Sequence, residues 1–197
     1  MKVKFNRAAL QEALGLVMSI IPSRTPKPIL QCLRVTTEKD AVRLSTTDLE
    51  VGITVLVSQV EVAETGDIVI PADKLSSIVR ESFDEVIELQ AAESAVYLVG
   101  SDSRFTIYSH DASQYPNVPG FEGQADLEVK LDKLQEGIEQ TVFAAAKEST
   151  RYALNGILWE VHNKKLSLVA TDGRRLSKST VLLEKTATLP EGRIIVP

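Results

Sequence analysis

The run LVATDGRRLS, Leu168 to Ser177, sets an aspartate, a glycine and two arginines in consecutive positions of a chain with 27 acidic and 22 basic residues. Three chemistries suit such a run. It could grip a phosphate, form a catalytic acid–cation pair, or make a tight turn between strands in which Asp and Thr satisfy backbone N–H groups. A phosphate loop would need a Gly-Lys-Ser/Thr ending, which ATDGRRL lacks. Catalysis finds no other support. His110 and His162, the only histidines, sit beside a Pro/Gly-rich segment and at a hairpin turn, and both read as surface residues. Asp48 and Glu50 lie two apart, on one face of an expected strand, where a carboxylate pair is solvated. No Gly-x-Ser-x-Gly elbow and no metal-ligand spacing occurs, and Cys32 is the sole cysteine. The sequence therefore predicts a protein without catalytic residues, metal or cofactor.

The 197 residues allow one large domain or two small ones. The net charge of −5 argues against a protein that coats itself with nucleic acid, yet leaves room for a local basic face or for topological enclosure of DNA. No apolar run reaches the roughly 18–20 residues of a membrane helix, and the N-terminal MKVKFNRAAL has no secretory core. With one cysteine, a cytoplasmic setting is expected.

The elements that must position LVATDGRRLS are written twice. Slid by 124 residues, the chain aligns with itself from Leu10 to Asp48 without a gap: Leu10 falls on Leu134, Leu30 on Leu154, Leu44 on Leu168, and Thr47-Asp48 on Thr171-Asp172. TGDIVIP, from Thr65, resembles PEGRIIVP, from Pro190, at an offset of 126. Each copy opens with a short strand (KVKF; LEVKL) and continues into a helix. The first helix is capped by Asn6, carries Leu10, Ala13, Leu14, Val17 and Ile21, and is stopped by Pro22; the second carries Leu131, Leu134, Ile138, Val142 and Ala145. Strands follow: LRVTTE, AVRLSTTD and GITVLVSQVEV, then ILWEVH, KLSLVATD and LSKSTVLL. The first copy continues into a helix, ADKLSSIVRESF, and a closing hairpin ending at FTIYSH, while Asp111–Asp126 reads as a linker. The second copy stops at Pro197, where the first enters its second helix, so the grammar implies a fragment of a longer chain. Thr-Asp, common to both copies, is expected to be turn architecture. Gly173-Arg174-Arg175-Leu176, found only in the second, is expected to serve function.

PILQCLRV, LSTTDLEV, IVIPADKL, RYALNGILWE and VATDGRRL together resemble the bacterial sliding clamp family, the beta subunits of DNA polymerase III, in collinear order along the whole chain. The resemblance implies an α+β DNA-clamp fold of repeated strand-helix-strands modules, with helices on one face and antiparallel sheets on the other. It implies a first clamp domain over 1–122, an incomplete second over 123–197, and a third domain outside this chain. Family members pair as homodimers into a ring around double-stranded DNA. The ring tethers the replicative DNA polymerase, the clamp loader and repair proteins through short linear peptides. Carried over, the peptide pocket comprises Arg151, Leu154, Thr171, Gly173, Arg174, Arg175 and Leu176, with Gly173 permitting close backbone approach. DNA contacts fall to Arg24, Lys27 and Lys147, the last beside Glu148, and the dimer interface to Lys74, Arg104, Phe105 and Ile107. A peptide-binding adaptor that never encircles DNA is the alternative; a third copy of the module downstream would favour the clamp.

Overall fold

The structure is a computed structural model that describes residues 1–120, 125, 127–147, 150–186 and 192–197. Glu148, Pro190 and Glu191, and the expected domain boundary at 122/123, lie outside the described residues. The chain forms two compact units, Met1–Gly120 and Phe121–Pro197.

In the first unit β1 (Lys2–Asn6) buries Val3 and Phe5 by alternation. It runs straight into α1 (Arg7–Val17), where Asn6 caps the helix by accepting the Ala9 N–H at 3.0 Å. Leu10, Ala13, Leu14 and Val17 form the buried stripe. The helix ends earlier than Pro22 suggested: Met18–Ile20 tightens into a 3₁₀ turn, and half-buried Ile21 packs against the core from outside the helix. Next come β2 (Cys32–Thr37), β3 (Val42–Thr47), β4 (Gly52–Val57), β5 (Val60–Glu64) and β6 (Asp67–Pro71). GITVLVSQVEV thus breaks at Ser58-Gln59 into two strands that enter different sheets. α2 (Ala72–Glu81) stops before Ser82, and the expected hairpin is a three-stranded meander, β7 (Val86–Ala92), β8 (Ala95–Val99) and β9 (Arg104–Tyr108).

The strand order shows why the halves of this unit depend on each other. One sheet runs β4-β3-β2-β6 and the other β5-β1-β7-β8-β9. The strand leading into each helix lies in the sheet that follows the other helix. Both helices pack into one core with Phe5, Leu33, Leu44, Ile70, Leu75, Leu89 and Leu98. The start of the expected linker also belongs to this unit. Tyr115 is 5% exposed, packs with Cys32 and Val69, and donates its hydroxyl to the Cys32 carbonyl at 3.1 Å.

The second unit repeats half of this plan. β10 (Leu127–Glu128) is shorter than LEVKL suggested; it is followed by α3 (Leu131–Val142), β11 (Ile157–His162), β12 (Lys165–Thr171), β13 (Leu176–Leu182), β14 (Lys185–Thr186) and β15 (Arg193–Val196). The order β13-β12-β11-β15 reproduces β4-β3-β2-β6, and β10 pairs with β14 as β1 pairs with β5. The register is kept as well: Leu33 faces Ile70, and their counterparts Ile157 and Val196 face each other. The helical stripe differs from expectation. Gly137 and Thr141 are the buried residues of α3, flanked by half-buried Leu134 and Ile138, whereas Leu131 is 78% and Val142 51% exposed. Gly137 explains the rotation. A Cβ there would stand 2.7 Å from Leu168, so the helix lies closer to its sheet than a larger residue allows.

The repeated Thr-Asp pair is one turn built twice. In the first copy the Asp48 carboxylate accepts the Glu50 and Val51 N–H groups at 2.9 and 2.7 Å, while the Thr47 hydroxyl accepts the Leu49 N–H and donates to the Val51 carbonyl. In the second, Asp172 accepts Arg174 and Arg175 N–H at 2.9 and 3.0 Å, and Thr171 accepts from Gly173 and donates to the Arg175 carbonyl. Asp48 and Glu50 therefore stand in a turn, not on one strand face. The turn needs a left-handed residue at its third position, with φ 84° at Leu49 and 85° at Gly173. Nothing in the chain lies within 4 Å of a Cβ built on Gly173, so among the chain's own contacts the glycine answers backbone conformation.

Gly173→Ala should cost about 1 kcal/mol in denaturant unfolding although its methyl touches nothing; an unchanged midpoint would refute the strain argument. Burial pushes the Tyr115 phenol up to about 12, so the fold favours its neutral form. Its contribution is complete below the ordinary tyrosine value near 10 and is lost as pH rises toward 12. Tyr115→Phe should cost about 1 kcal/mol at neutral pH and flatten the alkaline loss of stability, measured by denaturation at pH 7 and pH 11.

Candidate functional site

Beside the second copy's turn opens a cavity of about 780 Å³, lined by Val142, Phe143, Ala145, Ala146, Lys147, Asn155, Asp172, Arg174 and Arg175. Three segments supply all of its lining but Asn155. The end of α3 supplies Val142 and Phe143, 51% and 57% exposed, as an apolar wall. That wall is tied to β13, because the Ser177 hydroxyl donates to the Gln140 carbonyl and the Ser179 hydroxyl to the Gln140 side-chain oxygen at 2.9 Å. Ala145–Lys147 forms the second side, held by an Ala146 N–H bond to the Leu154 carbonyl at 2.9 Å. The Thr-Asp turn forms the third. There the Arg175 Nε donates to Asp172 at 3.0 Å, and its guanidinium carbon lies 5.7 Å from the centre of the Phe143 ring. Backbone N–H groups of Arg174 and Arg175, then the Arg175 guanidinium, hold the Asp172 carboxyl below the usual carboxylate range. Exposed apolar surface edged by Lys147, Arg174 and Arg175 suits a ligand with apolar anchors and a negative or polar group.

Of the residues carried over for the pocket, Arg174 and Arg175 line this cavity. Arg151, Leu154, Thr171, Gly173 and Leu176 are not among its lining residues. Leu154 is half-buried in the short turn Tyr152–Leu154, and the Arg151 carbonyl accepts its N–H. Thr171 and Gly173 build the turn itself, and Leu176 stands 66% exposed where β13 begins. Lys147, expected to contact DNA, also lines this cavity. The sequence reading missed Val142, Phe143 and Asn155. Phe143 had a legible signal, a large apolar residue outside the buried stripe of its helix. At the matching place of the first copy Gln31, counterpart of Asn155, donates to the Pro22 and Ser23 carbonyls at 3.3 and 3.1 Å.

Arg24 and Lys27 are both exposed, and neither forms an ion pair among the described residues. At the far edge of the first unit, a cavity of about 460 Å³ is walled by Ile78, Phe83 and Phe105 with Asp84 and Ser101–Ser103. Phe83, placed in the helix by its sequence pattern, is outside it and fully exposed. Ile107 does not join Phe105 at this surface. It is 4% exposed because it faces inward from β9 into the unit's own core. Lys74 is exposed beside Asp73 at 3.6 Å, and Arg104 lies over the Tyr97 ring at 4.3 Å.

Among the described residues no helix is long and apolar enough to cross a membrane, and no three His, Cys, Asp or Glu side chains are grouped to hold a metal. The family model for the N-terminal domain of the DNA polymerase III beta subunit matches residues 1–119, and that for its central domain matches 128–197. The chain is 34% identical over 178 residues to the beta sliding clamp of Pseudomonas aeruginosa, covering 90% of this chain and 48% of that protein. With the Haemophilus influenzae beta sliding clamp it shares 31% over 198 residues, covering 100% and 54%. A crystal structure of the Pseudomonas aeruginosa clamp bound to griselimycin superposes with a TM-score of 0.91 at 32% identity, covering all of this chain and 53% of that one. A Bacillus subtilis DNA polymerase sliding clamp gives 0.91 at 26% identity, covering 100% and 54%. The chain thus spans about half the length of the relatives it matches. Its two units follow the order of the family's N-terminal and central domains, and the chain belongs to the DNA polymerase III beta subunit family, the beta sliding clamps.

Proposed function

We propose that this chain supplies the first domain, 1–122, and part of the second, 123–197, of a DNA polymerase processivity clamp. The complete protein encircles duplex DNA as a homodimeric ring in the cytoplasm and tethers the replicative polymerase, clamp loader and repair proteins. It performs no catalysis of its own. The observation that carries the reading is the cavity at the second copy's turn. Apolar surface from Val142 and Phe143 and the cations of Lys147, Arg174 and Arg175 converge there. A duplication that keeps its turn and sets two arginines on it in one copy only fits a scaffold with a dedicated peptide port.

The remaining assignments follow the same architecture. Arg24 and Lys27 supply weak, sequence-independent phosphate contacts, so the acidic total charge is compatible with retention by topology. Phe105, with Ile78 and Phe83, offers the apolar part of a ring-closing edge.

In the complete protein, Arg175→Ala and Phe143→Ala should each weaken binding of a fluorescent peptide from the polymerase tail by about 10-fold or more while leaving the ring dimeric. Wild-type peptide affinity in both variants would remove the pocket from this site. Arg24→Ala should lower the salt slope of DNA binding by about one unit without changing sequence preference. The complete protein should remain on closed circular DNA and run off linear DNA. Equal retention on both would favour an adaptor that does not encircle DNA.

A further inference from the structure

The two copies of the turn use their aspartates differently. Asp48 and Asp172 each spend one carboxylate oxygen on two backbone N–H groups. In the second copy alone the other oxygen takes the Nε–H of Arg175 at 3.0 Å, because the residue three positions past the Asp is arginine where the first copy has Val51. The Arg175 guanidinium also lies 5.7 Å from Phe143, a position that the first copy fills with Ser19. We propose that Asp172 is a positioning residue for the ligand site: it fixes Arg175 through Nε, against Phe143, with both Nη atoms turned over to the incoming peptide. The proposal rests on the pocket reading above.

The geometry favours this over a purely structural ion pair. The turn is already closed by the other Asp172 oxygen and by Thr171, as its first-copy twin is closed without any arginine. The contact engages Nε only, and among the described residues no protein acceptor meets either Nη. Arginine loses much rotamer freedom on binding, so a guanidinium held in place beforehand lowers the ordering cost of capturing a carboxylate or carbonyl. Asp172 is 24% and Arg175 59% exposed at the side chain, so the pair is partly screened and the effect modest.

Asp172→Asn separates the two roles. Its amide oxygen still accepts the two turn N–H groups, while its amide nitrogen faces Arg175 with donors instead of an acceptor. In the complete protein we expect an unchanged thermal midpoint and about three- to five-fold weaker binding of a labelled hexapeptide carrying leucines and one aspartate. The Arg175 Nε–H resonance should move toward that of a free arginine. Asp48→Asn, the matched control, should change neither affinity nor that resonance. If Asp172→Asn binds the peptide as the wild type does, or loses affinity only in step with stability, the positioning role is wrong. If the wild type itself leaves this peptide unbound, the pocket reading fails and this proposal with it.

Discussion

One constraint runs through both units: the carboxylate of a Thr-Asp pair must satisfy two backbone N–H groups where the third strand's predecessor turns back on itself. That bond set forces a left-handed residue at the third turn position and fixes where the next strand begins. The register of β3 with β4, and of β12 with β13, follows from it. Because the turn closes on its own side chains, the residues after the Asp are released from holding it. Val51 occupies the place in one copy and Arg175 in the other, and the backbone is the same.

The sheets then convert local turns into interdependent units. β6 completes the sheet begun by β2, β3 and β4, while β1 sits among β7, β8 and β9. Residues distant in sequence share one core, so the first unit is closed by long-range pairing rather than by either half. The second unit shows the same capture of a late strand, β15 on β11, with matching partners across the pair. Exposed apolar surface arises where this economy leaves side chains outside the core. Phe143 stands beyond the buried stripe of α3, and Phe83 beyond the end of α2.

Much of the fold was legible because helical caps, alternation and the duplicated Thr-Asp pair are local signals. β2, β3, β11, β12, β13 and the Asn6 cap could be read directly. The meander after α2, the break at Ser58-Gln59 and the anchoring of Tyr115 could not, since each depends on a partner strand or pocket far away in sequence. The site was legible only in part for the same reason. Arg174 and Arg175 stand in a recognisable motif, whereas Val142, Phe143 and Asn155 reach the cavity only through the packing of α3 on β13.

By itself, the sequence determined two copies of one module, the chemistry of their shared turn, and the presence of cations at only one of the two turns. Those follow from residue type and spacing within a few positions. Tertiary structure decided which of these residues face one another. It buried Ile107 that was expected at an interface, brought Lys147 to the cavity, and gave Gly173 the left-handed backbone that the turn needs. The physical reason is that exposure and orientation are set by the elements packed around a residue, and a period of two or of 3.6 does not specify which face a distant partner will cover.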